Sequence, residues 1–186
     1  MRNRIILTIC LASVVALCSA RGASTRVTAG GALKTSAAPV AVCDVEAYVV
    51  DPDPKGLNVR DTPGVGGKLV ANIPLDAEGT VVHIIASNPN GWVQINRAET
   101  IMGSVVFDKQ GWVSGNMLGL ATRGYDGKGV KLYARARARK ATGRLPSEAE
   151  VKVAGCEGDW MRVKYKSLSG WLDPADQCPS PVTTCN

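Results

Sequence analysis

The chain has very little of what most active sites are built from. It contains one histidine, His83, so a Ser-His or Cys-His pair could be assembled only around that residue. Neither Ser87 nor Ser114 lies in a nucleophile motif. The segment "TVVHIIA", residues 80–86, reads as a strand. A lone histidine there is expected to be neutral and hydrogen-bonded, or to face an edge, rather than to serve a catalyst or a metal. Cys-x-x-Cys pairs are absent, which argues against a four-thiolate zinc site. No apolar run reaches the roughly 20 residues that a transmembrane helix needs. The carboxylates of Asp51, Asp53, Asp61, Asp76 and Glu78 fall in or near turns and read as solvated loop charges, not as an acid/base pair. The expectation is therefore no catalytic residue, no metal and no cofactor.

What is present begins with an export signal. Arg2 and Arg4 precede the apolar run Ile5–Leu17, and Cys18-Ser19-Ala20 supplies small residues for cleavage. A lipid-modified Cys18 is the competing reading, but Leu17 is bulky where such signals place a small residue. Cleavage after Ala20 lowers the formal charge from +6 to +4, a mild excess that permits weak attraction to anionic surfaces and does not demonstrate nucleic-acid binding. Residues 21–42 are rich in Ala, Gly, Ser and Thr and lack the apolar side chains that offset ordering entropy, so they read as a flexible leader. Cys43, Cys156, Cys178 and Cys185 remain, an even number that suits two disulfides in an oxidising compartment.

Beyond the leader, short Val- and Ile-rich runs alternate with turns, which predicts an all-β fold. A first block has strands at 57–60, 68–73, 80–86, 92–96, 103–106 and 111–114. A second has strands at 130–133, 150–156, 160–165 and 170–172. The glycine-bearing stretch 123–129 reads as a linker. The two blocks match in order: "LNVR" at 57–60 with "LYAR" at 132–135, "IP" with "LP", "GTVVHIIA" at 79–86 with "AEVKVAGC" at 149–156, "GWVQI" with "DWMRV", and "QGWVSGNML" with "SGWLDPADQ". The first block is longer around "RAETIMGSVVFD", and an insertion at a hairpin tip costs little closure entropy.

The pattern "LNVRDTP…GKLVANIP…GTVVHIIA…GWVQI…GWVSGNML" resembles the bacterial Src-homology-3-like domain. The second block is similar, with Tyr133 and Ala134 in place of Asn58 and Val59 and Asp159 in place of Gly91. The resemblance covers residues 45–178. It implies two small, partly open barrels in tandem, at 43–122 and 130–186, each with a one-turn 3₁₀ helix before its last strand, at "SGNML" and "DPADQ". It also implies a module that often accompanies a peptidoglycan-cleaving domain, and no such domain is expected in this chain.

Candidate ligand-binding residues are the four tryptophans Trp92, Trp112, Trp160 and Trp171, with Tyr133 and the arginines of "RARARK", residues 135–140. Core or half-core packing accounts for the tryptophans, and the sharper reading puts one per copy in an exposed groove. Extended, Arg135, Arg137 and Arg139 share one face and could hold a carboxylate or phosphate. A solvated loop whose stems lie on the barrel is the alternative.

These features suggest an exported, non-catalytic envelope-binding module, periplasmic or extracellular, recognising peptidoglycan or a protein near it. The expected partners include no nucleic acid, and any membrane contact is at most peripheral. The alternatives are an accessory subunit or minimal form of a cell-wall hydrolase, and a structural or inhibitory protein with no glycan ligand. Oligomeric state and ligand identity stay open. The corner formed by strands 150–156, 160–165 and 170–172 brings Cys178 back toward Cys156, so the favoured disulfides are Cys156–Cys178 and Cys43–Cys185. A local Cys178–Cys185 bridge is the alternative.

Overall fold

The computed structural model describes residues 39–123, 127–183 and 185. The proposed signal segment lies outside them, as does all of the leader up to residue 38. Pro39 and Val40 precede the first strand. Among the described residues the architecture is antiparallel β, with two single-turn 3₁₀ helices and one isolated parallel bridge, between Cys43 and Gly158.

The strands are β1 (Ala41–Val49), β2 (Leu57–Arg60), β3 (Leu69–Ile73), β4 (Thr80–Ser87), β5 (Trp92–Thr100), β6 (Val105–Phe107), β7 (Gly111–Ser114), β8 (Leu118–Thr122), β9 (Val130–Tyr133), β10 (Ala141–Leu145), β11 (Glu150–Glu157), β12 (Trp160–Tyr165), β13 (Leu168–Leu172) and β14 (Gln177–Cys178). They form one continuous open sheet in the order β10-β9-β13-β12-β11-β8-β1-β4-β5-β7-β2-β3, with β14 on β8 and β6 on β5. The extension of β5 to Thr100 and its pairing with β6 form the longer hairpin of the first block.

Within that sheet one pattern occurs twice. The run β4-β5-β7-β2-β3 has the same order as β11-β12-β13-β9-β10. The registers agree residue by residue: Val93 faces Val113 and Gln94 faces Trp112, as Met161 faces Leu172 and Arg162 faces Trp171. Both copies carry a bulge at the same place, where Ile85 and Ala154 are skipped between paired neighbours. Both place a 3₁₀ turn after the second Gly-Trp, at Gly115–Met117 and Pro174–Asp176. In the second, the Asp173 side chain accepts a hydrogen bond from the Ala175 amide, and Pro174 sits where no amide donor is required.

The registers correct the block matching in two places. Gly155 faces Arg162 and Ala86 faces Gln94, so Ala86 corresponds to Gly155 and "TVVHIIAS" to "AEVKVAGC". The letter-by-letter match was one residue off, which would set buried Val82 against exposed Lys152. Likewise Leu57 faces Ile73 as Val130 faces Leu145, and Arg60 faces Trp112 as Tyr133 faces Trp171. The partner of "LNVR" is therefore "VKLY" at 130–133, not "LYAR". Gly56 and Gly129 open the two strands at φ +93° and +67°, and a Cβ at either would run into the carbonyl oxygen of Ile73 or Leu145.

Strand β8 belongs to both copies. It closes the first, pairing with β1 through Val49↔Leu118 and Tyr48↔Gly119. It opens the second, pairing with β11 and β14 much as β1 pairs with β4 and β8. Gly119 is required at the β1 crossing, because a side chain there would meet the Tyr48 ring. One buried cluster runs from Val45, Val82 and Ile95 through Leu118 and Leu120 to Val151, Met161 and Leu172. The all-β, partly open architecture is the one expected, and its buried cluster is continuous through both repeats.

The disulfides also differ from the favoured pairing. They join Cys43 to Cys156 and Cys178 to Cys185. Cys43 lies in β1, a strand hidden in what read as leader and first-copy boundary, and β1 crosses beside β11. Asp44 donates its amide to the Gly158 carbonyl at 2.9 Å, and Gly158 donates to Val42 at 2.8 Å, which holds the two cysteines in reach. Ser87 clamps the same corner: its hydroxyl donates to the Cys156 carbonyl at 2.8 Å and accepts from the Cys156 amide at 3.0 Å. Two disulfides are compatible with an extracellular or otherwise oxidising setting.

Candidate functional site

The first repeat presents a groove of about 270 Å³ lined by Asp51, Asp53, Asn58, Arg60, Trp92 and Ser114, among others. Each side chain is placed by local chemistry. In the "DPDPKG" loop the Asp51 carboxylate accepts from the Asp53 amide at 3.0 Å and the Asp53 carboxylate from the Lys55 amide at 2.9 Å, which turns the chain into β2. Asn58 and Arg60 alternate with the buried Leu57 and Val59, so they point out of the core. Arg60 donates to the Gly67 carbonyl at 2.6 Å, which ties it to the glycine-rich loop. Trp92 starts β5 half-buried.

The second repeat shows the same place filled. Tyr133 stands where the first repeat has Arg60, and its ring meets Trp160, the counterpart of Trp92, edge-on at 5.3 Å between centroids and 78° between planes. Trp160 is 8% exposed. There an aromatic residue stands in place of the arginine and packs on the tryptophan.

The remaining sequence candidates are dispersed. Trp112 is buried. Trp171, its counterpart, is half-buried and lines a different groove of about 230 Å³ with Asn88, Pro89, Gly155 and Arg162. One tryptophan per copy is thus partly exposed, but at non-equivalent positions. The "RARARK" segment forms a turn rather than a strand, with Arg137 at φ 57°. All three arginines are exposed, and Arg137 pairs with Glu157 at 3.2 Å and Asp159 at 3.5 Å. The three arginines do not converge on one anion. The groove residues that sequence reasoning passed over are Asp51, Asp53, Asn58, Arg60 and Ser114. The Pro-spaced aspartates ahead of a Gly-Leu-Asn-Val-Arg strand were the available signal, because Pro at every second position fixes the loop that presents them.

His83 lies elsewhere, on the outer face of β4. Nδ1 is 2.8 Å from Asn96 Oδ1 and Nε2 is 2.8 Å from Asp44 Oδ1. Two acceptors facing both ring nitrogens suit the imidazolium, which donates from both. Partial burial pushes the pKa down, but the hydrogen bonds to Asp44 and Asn96 and the charges of Asp44 and Glu46 outweigh it and hold it above the ordinary 6.5. The histidine is hydrogen-bonded as expected, and these partners hold its pKa above the ordinary value. A pKa raised on folding stabilises the fold below the unfolded value and loses that contribution as pH rises through the folded value. Melting temperature should therefore fall as pH is raised from about 6 through the elevated pKa, and His83→Gln should flatten that step. An unchanged slope in the variant would assign the pH dependence to other groups. Among the described residues no group of three or more His, Cys, Asp or Glu side chains is placed to hold a metal ion. Among the same residues no helix is long and apolar enough to cross a membrane.

No protein-family model matches the chain, and no curated protein matches it. Among the solved structures that are similar at a distance are two from one organism. NlpC2 from Trichomonas vaginalis is 16% identical over 71% of this chain and 47% of its own, with a TM-score of 0.27. NlpC1 from the same organism is 13% identical over 77% of this chain and 47% of its own, with a TM-score of 0.28. This chain spans just under half the length of each. Likenesses of that size leave the function to be argued from the grooves themselves.

Proposed function

We propose that the protein is an exported, non-catalytic binding module of the cell envelope, and that the groove of its first repeat recognises peptidoglycan or a protein beside it. The observation that carries this reading is the contrast between repeats: Trp92 lines an open groove with Asn58, Arg60 and two carboxylates, whereas Tyr133 covers the equivalent Trp160. Mixed polar groups around one partly exposed indole suit a ligand that offers both a ring or alkyl face and hydrogen-bonding groups. The resemblance of the repeats to Src-homology-3-like domains supports an envelope ligand. Catalysis finds no support in the one histidine, because His83 is held between Asp44 and Asn96 away from this groove.

Trp92→Ala should reduce retention on purified, sonicated peptidoglycan by about tenfold or more, the scale of a loss of a central aromatic anchor. Trp112→Phe serves as a control for tryptophan loss outside the groove. Tyr133→Ala should leave retention intact. Equal retention of the Trp92 variant and the parent would remove peptidoglycan from this groove, and pull-down with envelope proteins would then decide the protein-ligand form of the reading.

A further inference from the structure

The two repeats carry opposite charge. Residues 39–122 hold five Lys and Arg against nine Asp and Glu, and residues 130–186 hold ten against six. The positive excess is organised by the sheet. Along β11, β12, β13, β9 and β10 the apolar side chains alternate inward, and the intervening positions face out. The outward set includes Lys152, Arg162, Lys164, Lys131 and Arg144. The register sets like charges directly opposite one another, Lys152 against Lys164 and Lys131 against Arg144.

Like charges directly opposite destabilise a sheet, so folding does not account for this arrangement. Among the described residues the side chains of Lys152, Arg162 and Lys164 make no hydrogen bond or ion pair. Arg144 donates to the carbonyls of Lys128 and Gly129, both at 2.8 Å, and the charges of Lys131 and Arg144 act on Asp176. Glu150 borders the face on β11. In the middle of the cationic rows lies Trp171, opposite Arg162 on one side and Tyr133 on the other. It lines the concave groove it shares with Arg162, Asn88 and Glu157, whose carboxylate is paired with Arg137. The loop leaving β9 extends the patch with exposed Arg135, Arg139 and Lys140.

We propose that the outward face of β11-β12-β13-β9 binds an anionic polysaccharide, with its acidic groups on Lys152, Arg162 and Lys164 and a sugar ring against Trp171. The cations alone would suit any polyanion. The indole in a groove adds a requirement for a ring that can enter a concavity, which a flat anionic bilayer does not meet. Single-stranded nucleic acid also offers rings and phosphates, but such sites stack successive bases on several aromatics, and here one partly exposed indole lies among the charges. Two disulfides are compatible with an oxidising, extracellular setting, where a polysaccharide ligand is accessible. This surface is separate from the first-repeat groove and does not rest on that groove's ligand.

The test uses the full chain and titrates polygalacturonate, with neutral dextran, poly(dT), inorganic polyphosphate and phosphatidylglycerol vesicles as comparison arms. Polygalacturonate should bind in a salt-sensitive manner and dextran should not. Lys152→Ser/Arg162→Ser/Lys164→Ser should weaken polygalacturonate binding by about tenfold or more, with a shallower salt dependence. Its melting temperature should stay level or rise, because a like-charge pair is removed. Trp171→Ala should weaken binding with the salt dependence unchanged, and Trp92→Ala should bind as the parent does. Undiminished binding by the triple variant would overturn the proposal. So would tighter binding of vesicles, poly(dT) or polyphosphate than of polygalacturonate. Loss of polygalacturonate binding in Trp92→Ala alone would move the polymer to the first-repeat groove and equally overturn this surface.

Discussion

Replacing Cys43 and Cys156 together by serine should cost about 4–5 kcal/mol of stability, the chain-entropy value for a loop of roughly a hundred residues. The two cysteines are 113 positions apart, with Cα atoms 5.7 Å apart. Both are buried, so the serines would add two hydroxyls to an apolar corner, which deepens the loss. The corner keeps some order without the bond, through the Asp44–Gly158 and Gly158–Val42 hydrogen bonds and the Ser87 clamp. The Cys178–Cys185 bridge closes seven positions, and the same model gives it only about 2–3 kcal/mol. Urea unfolding of the two double variants under non-reducing conditions measures the difference. A loss no larger for the Cys43/Cys156 pair than for the Cys178/Cys185 pair would mean that the long loop is already constrained without its bond. A peptide linking Cys156 to Cys178 in a non-reducing digest would restore the corner pairing and reject this one.

The missed disulfide shows what the sequence could carry and what it could not. Strands bounded by turn residues were readable: Leu57–Arg60, Gly111–Ser114, Val130–Tyr133 and Trp160–Tyr165 stand where the alternation placed them. Both 3₁₀ turns stand where the resemblance implied. Strand β1 was hidden because its inward residues are small, Cys43, Val45 and Ala47, and its start abuts an Ala- and Ser-rich stretch. With no strand assigned over 43–49, Cys43 had no strand partner, and the pairing argument worked only with the second repeat. β8 and β10 were passed over for a similar reason: "LGLAT" and "ATGRL" carry glycines that a single sequence marks as loop. In β8 that glycine reports the approach of the Tyr48 ring, a contact between distant segments.

The repeat itself was legible, but its register was not. Matching letters aligned Leu-x-x-Arg with Leu-x-x-Arg, whereas the sheet aligns Gly56 with Gly129 and Arg60 with Tyr133. That shift matters for the candidate site. It leaves "RARARK" in the connecting loop, the alternative to an extended segment. It also brings Tyr133 over Trp160, and so explains why equivalent tryptophans have different exposure. Groove residues with ordinary roles in turns, such as Asp51 and Asp53, give no signal until the loop is seen beside Trp92.

Leu120→Ala should destabilise the whole of residues 39–185 as one unit, by about 2–5 kcal/mol. Leu120 is fully buried in β8 and faces Val151 across the β8–β11 ladder. The same strand pairs with β1 and with β14, so a cavity here lies under both repeats. If the repeats were separate barrels, the cost would fall on one and leave the other's melting unchanged. Because β8 closes one and opens the other, loosening it removes edge partners from both. Two reporter backgrounds separate these outcomes: one retains Trp92 and Trp112, the other Trp160 and Trp171, with phenylalanine at the remaining tryptophans. In each background the Leu120→Ala transition should move to lower denaturant by the same amount, and the two reporters should superimpose. A shift confined to one reporter would show that the repeats unfold independently and that the β8 pairing to β11 contributes little to either.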